Sequence, residues 1–278
     1  MTASFEGRRV LVTGAASGIG LATALAFARR GAWLVVSDID AGRLTEAARR
    51  IRETGARCLD MPADVSSLAS MQALAERVHA ETPALDILVN NAGIGYLGGF
   101  DDTPDEAWRR VLDINLLGVV NGCRVFLPAM RRAGGPRRVV NVASLAGIAA
   151  LPNMSAYAAS KHAVMGLSEG LALELELAGS AVGVTTVCPG IVNTAITKNR
   201  ANVAAAIDDR QLARLQAYYE AQGVAPEVVA EALVEGVAKG RRQVLVGPFA
   251  KPIALLRRFA PALARRALLH DARKAGYL

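Results

Sequence analysis

Cysteine, histidine and aromatic residues are scarce in this 278-residue chain, with three cysteines, three histidines and 5% Phe, Trp and Tyr together. Cys58, Cys123 and Cys188 are far apart, odd in number and set in apolar runs. They read as buried free thiols rather than a disulfide framework, which suits a reducing cytoplasm. The histidines show no ligand spacing, so no metal site is expected. No stretch approaches the roughly 18 uninterrupted apolar residues of a spanning helix. The first seven residues lack the basic-then-apolar pattern of a secretory signal, and none is expected. Against these absences stands a hydrophobic content of 52%, which excludes a disordered chain. The length allows one α/β domain or two small ones.

Acidic residues nearly vanish toward the C-terminus. From Lys239 onward there are ten basic residues and one acid, Asp271, giving +9 in a chain of net charge +7 and leaving −2 elsewhere. A nucleic-acid partner would need a basic face on the domain itself, and none is expected. In the stretch 247–278, Ile253, Leu255, Leu256 and Phe259 alternate with Arg257 and Arg258, and Leu263, Leu268 and Leu269 with Arg265 and Arg266. This pattern predicts two short amphipathic helices broken at Pro261. A basic amphipathic tail can make peripheral contact with an anionic membrane; the alternative is packing on the body or a neighbouring subunit.

Between the ends, apolar runs and helical patterns alternate at short intervals. Strands are predicted over 8–13, 33–37, 57–61, 86–90, 138–142, 183–187 and 243–246. Helices are predicted over 19–30, 41–54, 67–82, 104–132 (bent near Gly118), 157–177 and 226–239. Near-continuous apolar strands separated by helices mark a parallel sheet covered on both faces. The expected architecture is a doubly wound α/β fold of the Rossmann type, one domain over 1–246 with a basic amphipathic extension over 247–278. The rhythm breaks over 191–223, a candidate substrate lid.

Thr13-Gly14-Ala-Ala-Ser17-Gly18-Ile19-Gly20 joins the first strand to the first helix. Gly14 permits a tight turn, Gly18 lets backbone approach a pyrophosphate, and Gly20 allows close helix–strand packing. The helix N-terminus then offers N–H groups to the phosphates. Asp38 ends the second strand, where a carboxylate can accept both ribose hydroxyls and repel a 2′-phosphate. No Arg or Lys lies in the glycine loop or directly after Asp38, so NAD is read over NADP. The alternative role for Asp38 is to cap the helix beginning near Ala41. Asp64 and Val65 can meet the adenine amine and cover its face. Asn91, Ala92 and Gly93, after Asn90, place small residues where bulk would strike a dinucleotide. Tyr157 and Lys161 lie four apart, one turn along a helix face, where an ammonium would draw a phenol's pKa down from about 10.

Taken together with Asn115, Ser144 and Pro189-Gly190-Ile-Val192-Asn-Thr194, these motifs resemble the short-chain dehydrogenase/reductase family from about Gly7 to Val246. The resemblance implies Tyr157 as catalytic acid/base and Lys161 as the residue that lowers its pKa and binds the nicotinamide ribose. It implies Ser144 as hydrogen-bond partner of the substrate oxygen and Asn115 as the helix-bend residue that holds a water feeding Lys161. Pro189, Gly190, Val192 and Thr194 would hold the nicotinamide, and a dimer or tetramer is implied. Ile196, Val203, Ile207, Leu212, Leu215, Tyr218 and Tyr219 in the lid suggest an apolar wall. Tyr96, Leu97, Ile148, Leu151 and Met154 can add to it. The expected activity is NAD-dependent interconversion of a secondary alcohol and a ketone, on an apolar or lipid-like substrate. The alternatives are an NADP-linked 3-oxoacyl-type reductase and a non-catalytic cofactor-binding scaffold or sensor.

Overall fold

The computed structural model describes residues 3–194 and 199–277. Strands β1 (Arg9–Thr13), β2 (Trp33–Ser37), β3 (Cys58–Asp60), β4 (Ile87–Asn90), β5 (Arg137–Val142), β6 (Val182–Pro189) and β7 (Gln243–Val246) form one sheet. Its order is β3-β2-β1-β4-β5-β6-β7, and every neighbouring pair is parallel. The order reverses between β1 and β4, which opens a crevice at the carboxyl ends of those strands.

Helices α1 (Gly18–Ala28), α2 (Ala41–Arg52) and α8 (Pro226–Ala238) cover one face. There Phe27, Leu44, Ile51 and Leu233 are buried against the strand valines. Helices α3 (Leu68–Glu81), α5 (Gly118–Ala133) and α6 (Ser155–Leu177) cover the other, burying Met71, Leu74, Phe126, Met130 and Val164. With apolar side chains on both faces, the strands must read as continuous rather than alternating hydrophobic runs.

One predicted helix is interrupted. Over 104–132 the chain forms α4 (Asp105–Leu112), a π turn at Asp113–Leu117, and then α5. The break comes before Gly118, where the sequence had suggested a bend. The wide turn brings the Asn115 side chain inward, where its Oδ1 accepts from the Ile94 amide at 2.8 Å and its Nδ2 donates to the Ile94 carbonyl at 2.9 Å. By length and composition Asp105–Ala133 could cross a bilayer, but here α5 lies against β4, β5 and α3. The lid also gains order, since α7 (Asp209–Gln222) is a regular helix with Asp208 as its N-cap. Ile196 lies outside the described residues.

At the amino end of the sheet, far from the crevice, Asp86 is a buried anion among arginines. Its carboxylate accepts from the Arg9 amide at 2.9 Å and from Arg9 Nε at 2.8 Å, and pairs with Arg137 at 2.7 Å. Burial alone would raise the Asp86 carboxyl, but the Arg9 amide and guanidinium, with Arg137, outweigh it and hold the group below the usual carboxylate range. Asp86→Ala is expected to cost about 3 kcal/mol, because it leaves the mostly buried Arg137 guanidinium without its counter-charge and the Arg9 amide without its acceptor. The urea midpoint checks this. The contribution is complete above the ordinary carboxylate value and is lost as pH falls through the folded one.

Beyond β7, α9 (Ala250–Phe259) and α10 (Pro261–Ala275) meet at Pro261. Of the two readings of the tail, packing on the body describes α10: Ala264, Ala272, Ala275 and Tyr277 are buried, and the helix lies against α7. Leu255, Phe259 and Leu263 stay exposed.

Candidate active site

The carboxyl ends of the strands border a cleft of about 1200 Å³. At its β1–β2 side, Gly14 has φ +64°, and a Cβ there would sit 2.7 Å from the Ala92 Cα. Asn91 fastens this turn, its Nδ2 donating to the Thr13 and Gly14 carbonyls at 3.0 and 3.2 Å. Ser17 is the N-cap of α1 but its side chain makes no capping bond, so the first N–H groups of the helix remain available to an anion. Gly20 does not line the cleft. A Cβ on it would meet the Gly14 carbonyl oxygen at 2.1 Å, so it serves the packing beneath the loop.

Asp38 accepts from the Ala16 amide at 3.1 Å and from the Asp40 amide at 3.1 Å, which turns its carboxylate toward the glycine loop. Asp40, rather than Asp38, caps α2 through the Arg43 amide. Arg43, which the sequence pattern did not single out, lines this end of the cleft and pairs with Asp40 at 3.3 Å. Asp64 accepts from the amide and hydroxyl of Ser66 at 2.9 and 2.7 Å. Val65 lies beside it, its carbonyl held by Asn121 at 2.9 Å. Asn121, buried on α5, has a site-supporting role that spacing alone did not mark.

Tyr157 and Lys161 project from α6 into the middle of the cleft, both nearly buried. Lys161 Nζ donates to the Val142 carbonyl at 2.9 Å and stands 5.8 Å from the centre of the Tyr157 ring. Ser144 begins a short turn after β5, accepts from the Ala146 amide at 3.1 Å, and lines the cleft with the Tyr157 phenol. A Cβ on Gly147 would meet the Lys161 carbonyl at 2.7 Å, so that glycine lets the turn sit directly on α6.

The electrostatics differ from the expectation for a Tyr–Lys pair. Burial pushes the Tyr157 phenol up to about 12, against a lowering by Ser144. Burial likewise brings Lys161 down to about 8. Desolvation is the largest cause for both groups, and in each it opposes the charged form. Asn115 is wholly buried behind the cleft, its Nδ2 also donating to Ser160 Oγ at 3.0 Å. It approaches from the far side of Gly93, where a Cβ would sit 3.1 Å from Asn115 Oδ1 and 3.4 Å from Lys161 Nζ.

Ser17, Gly18, Ile19, Asp38, Asp64, Val65, Asn91, Ala92, Gly93, Pro189, Gly190, Val192 and Thr194 line the same cleft, with Gly14, Ser144, Tyr157 and Lys161. Asn115 and Gly20 stand behind it. Leu151, Met154 and Tyr219, packed in one cluster, give it an apolar wall, and Phe249, Leu268 and Asp271 from beyond β7 also line it. Those last three were not anticipated as site residues. Asp271 is the lone acid of a basic segment, and that was the available signal.

A sequence profile for short chain dehydrogenases matches residues 8–204. The chain belongs to the short-chain dehydrogenase/reductase family. Among curated relatives, this family member is 42% identical over 260 residues to "Probable oxidoreductase EphD" of Mycobacterium tuberculosis. The match covers 92% of this chain but 44% of that protein, so the chain spans under half the length of this relative. It is 36% identical over 195 residues to a cyclohexanol dehydrogenase of an Acinetobacter species, covering 70% of this chain and 76% of that one. A crystal structure of a short-chain dehydrogenase/reductase from Burkholderia phymatum in complex with NAD superposes with a TM-score of 0.86 at 32% identity. It covers 94% of this chain and 96% of its own.

The residues of this family member fit a nicotinamide dinucleotide. The tight Gly14 turn packed on Ala92, the uncapped N–H groups of α1 and a buried ammonium all border the one cleft.

Proposed function

We propose that the protein is an NAD-dependent oxidoreductase that interconverts a secondary alcohol and a ketone, acting on an apolar substrate. The observation that carries this reading is the convergence of Ser144, Tyr157 and Lys161 on one cleft, between the glycine loop and the apolar residues Leu151 and Met154. When bound, the nicotinamide supplies a hydride donor or acceptor. Ser144 and Tyr157 hold the substrate oxygen between two hydroxyls. In the reducing direction Tyr157 gives its proton to that oxygen; in the oxidising direction its phenolate takes the alcohol proton. Lys161 supplies positive charge within reach of the phenol and donors for ribose hydroxyls. Asn115 fixes the loop at Ile94 and the packing of α6 through Ser160.

Pro189, Gly190, Val192 and Thr194 are assigned to the nicotinamide end, and Asp64 and Val65 to the adenine. The similarity to a cyclohexanol dehydrogenase supports alcohol–ketone chemistry, and Leu151, Met154 and Tyr219 favour an apolar ligand. A turnover screen of secondary alcohols and ketones with NAD and NADH, graded by chain length and ring number, tests the assignment. Absence of turnover across the series would leave the scaffold reading standing.

The coenzyme preference rests on Asp38. NADPH is expected to bind at least about ten-fold more weakly than NADH, because its 2′-phosphate meets a carboxylate, and Asp38→Ala is expected to narrow that ratio. Fluorescence titration of both reduced coenzymes decides it. Equal affinities in the wild type would instead favour the NADP-linked reductase, with Arg43 as the phosphate's partner. Assembly as a homodimer or homotetramer is proposed on the family pattern.

A further inference from the structure

The segment beyond β7 is joined to the lid by a set of directed bonds. Tyr218 on α7 donates to Asp271 on α10 at 2.7 Å, and the hydroxyls of Tyr219 and Tyr277 lie 2.6 Å apart. Arg214 donates to the carbonyls of Arg273 and Lys274 at 3.2 and 3.4 Å. Asn153, on the loop leading into α6, donates to the Tyr277 carbonyl, and the Tyr277 hydroxyl reaches the Met154 sulfur at 3.6 Å. Tyr277 is 2% exposed, and Ala272 and Ala275 are fully buried in the cluster that also holds Tyr157 and Met154. Ordinary solvated tails do not bury a tyrosine between a lid and the entry to a reactive helix.

The same helix reaches the cleft. Leu268 and Asp271 border it directly, as do Leu151, Met154 and Tyr219. Tyr219 stands close enough to Tyr157 for its phenol to influence that group's ionisation. Tyr219 on its own helix has rotational freedom; its bond to the buried Tyr277 removes it, and the bond to Asp271 does the same for Tyr218.

We infer that α10 is part of the substrate site, with Leu268 and Asp271 as cleft wall and Tyr277 as a positioning residue that holds Tyr219 in place, so that this helix sets how long a substrate the cleft admits. This rests on the alcohol–ketone reading above. The non-reacting end of the substrate runs from Ser144 and Tyr157 toward Tyr219 and Leu268. A short ketone is held by that wall, whereas a long one is stopped by it.

The test compares the wild type with a chain ending at Ala260 and with full-length Tyr277→Phe and Asp271→Asn. Straight-chain ketones of graded length are reduced with NADH. The ratio of kcat/KM for long over short ketones is expected to rise about ten-fold in the shortened chain and about three-fold in the point variants. NADH affinity is expected to stay unchanged. A merely structural role would lower all substrates together, so an unchanged ratio overturns the inference. If the shortened chain fails to bind NADH, the point variants decide. Hydrogen exchange across residues 209–222 gives a readout free of turnover: it is expected to speed about ten-fold without α10, with α1 unaffected. Unchanged protection there overturns the inference even if no ketone is turned over, while failed turnover by the wild type counts only against the proposed activity.

Discussion

Tyr157→Phe is expected to lower ketone reduction and alcohol oxidation by about 10²–10⁴-fold while leaving NADH affinity within about two-fold. The change removes one oxygen from a nearly buried side chain and keeps the ring that packs with Met154 and Ala158. Ser144 keeps its bond from the Ala146 amide, and no charge is stranded. Single-turnover rates with pre-bound NADH separate this loss from binding. Turnover above about a tenth of the wild-type rate would remove Tyr157 from the role of acid/base. Because burial holds the phenol at about 12, the neutral form prevails across the neutral range. Reduction therefore starts from the correct form, whereas oxidation must first make the phenolate and is expected to accelerate as pH rises.

Lys161→Met is expected to reduce turnover by about 10²–10⁴-fold while raising stability, the trade-off expected where a site holds a costly buried charge. Charge on a nearly buried ammonium is costly, and the fall of its pKa from 10.5 to about 8 expresses that cost. It corresponds to about 3 kcal/mol at neutral pH. Methionine has similar length and no charge. It leaves the Val142 carbonyl without its donor, an offset of about 1–2 kcal/mol, so a net gain of about 1 kcal/mol is expected. The sign has a second consequence. Between about pH 8 and 10.5 the folded wild type has released the proton that its unfolded chain still holds, so its stability rises with pH across that window. The Met variant lacks this rise. Urea unfolding at neutral and alkaline pH measures both effects, and a destabilised Met variant would refute the assignment of a costly buried charge.

The sheet and its covering helices were legible because their signals are local. Apolar strand runs bounded by Gly31 or Asp38 need no distant partner to be recognised. The cleft was legible for a topological reason, since residues that follow parallel strands gather at one edge. What stayed hidden depends on contacts distant in sequence. Asn121 gains meaning only because α5 passes under Val65. The π turn is invisible in periodicity, because one extra residue hardly disturbs an apolar pattern. Tyr277 lies 58 residues from Tyr219, with nothing in either neighbourhood to announce the pairing. Spacing gives the proximity of Lys161 to Tyr157 but not the depth at which both groups are buried, and burial is what raises the phenol.

The widened turn at Asp113–Leu117 holds one residue more than an ordinary helical turn. Deleting a single residue from it would restore an ordinary helical repeat and leave α4 and α5 aligned, because the turn itself takes up the extra residue. The side of α5 that bears Phe126 and Met130 would still face the sheet, while Asn115 would lose the bulge that carries its side chain to Ile94. The extra residue therefore serves the reaction centre and not the core, and its loss is a change the sheet packing would not feel.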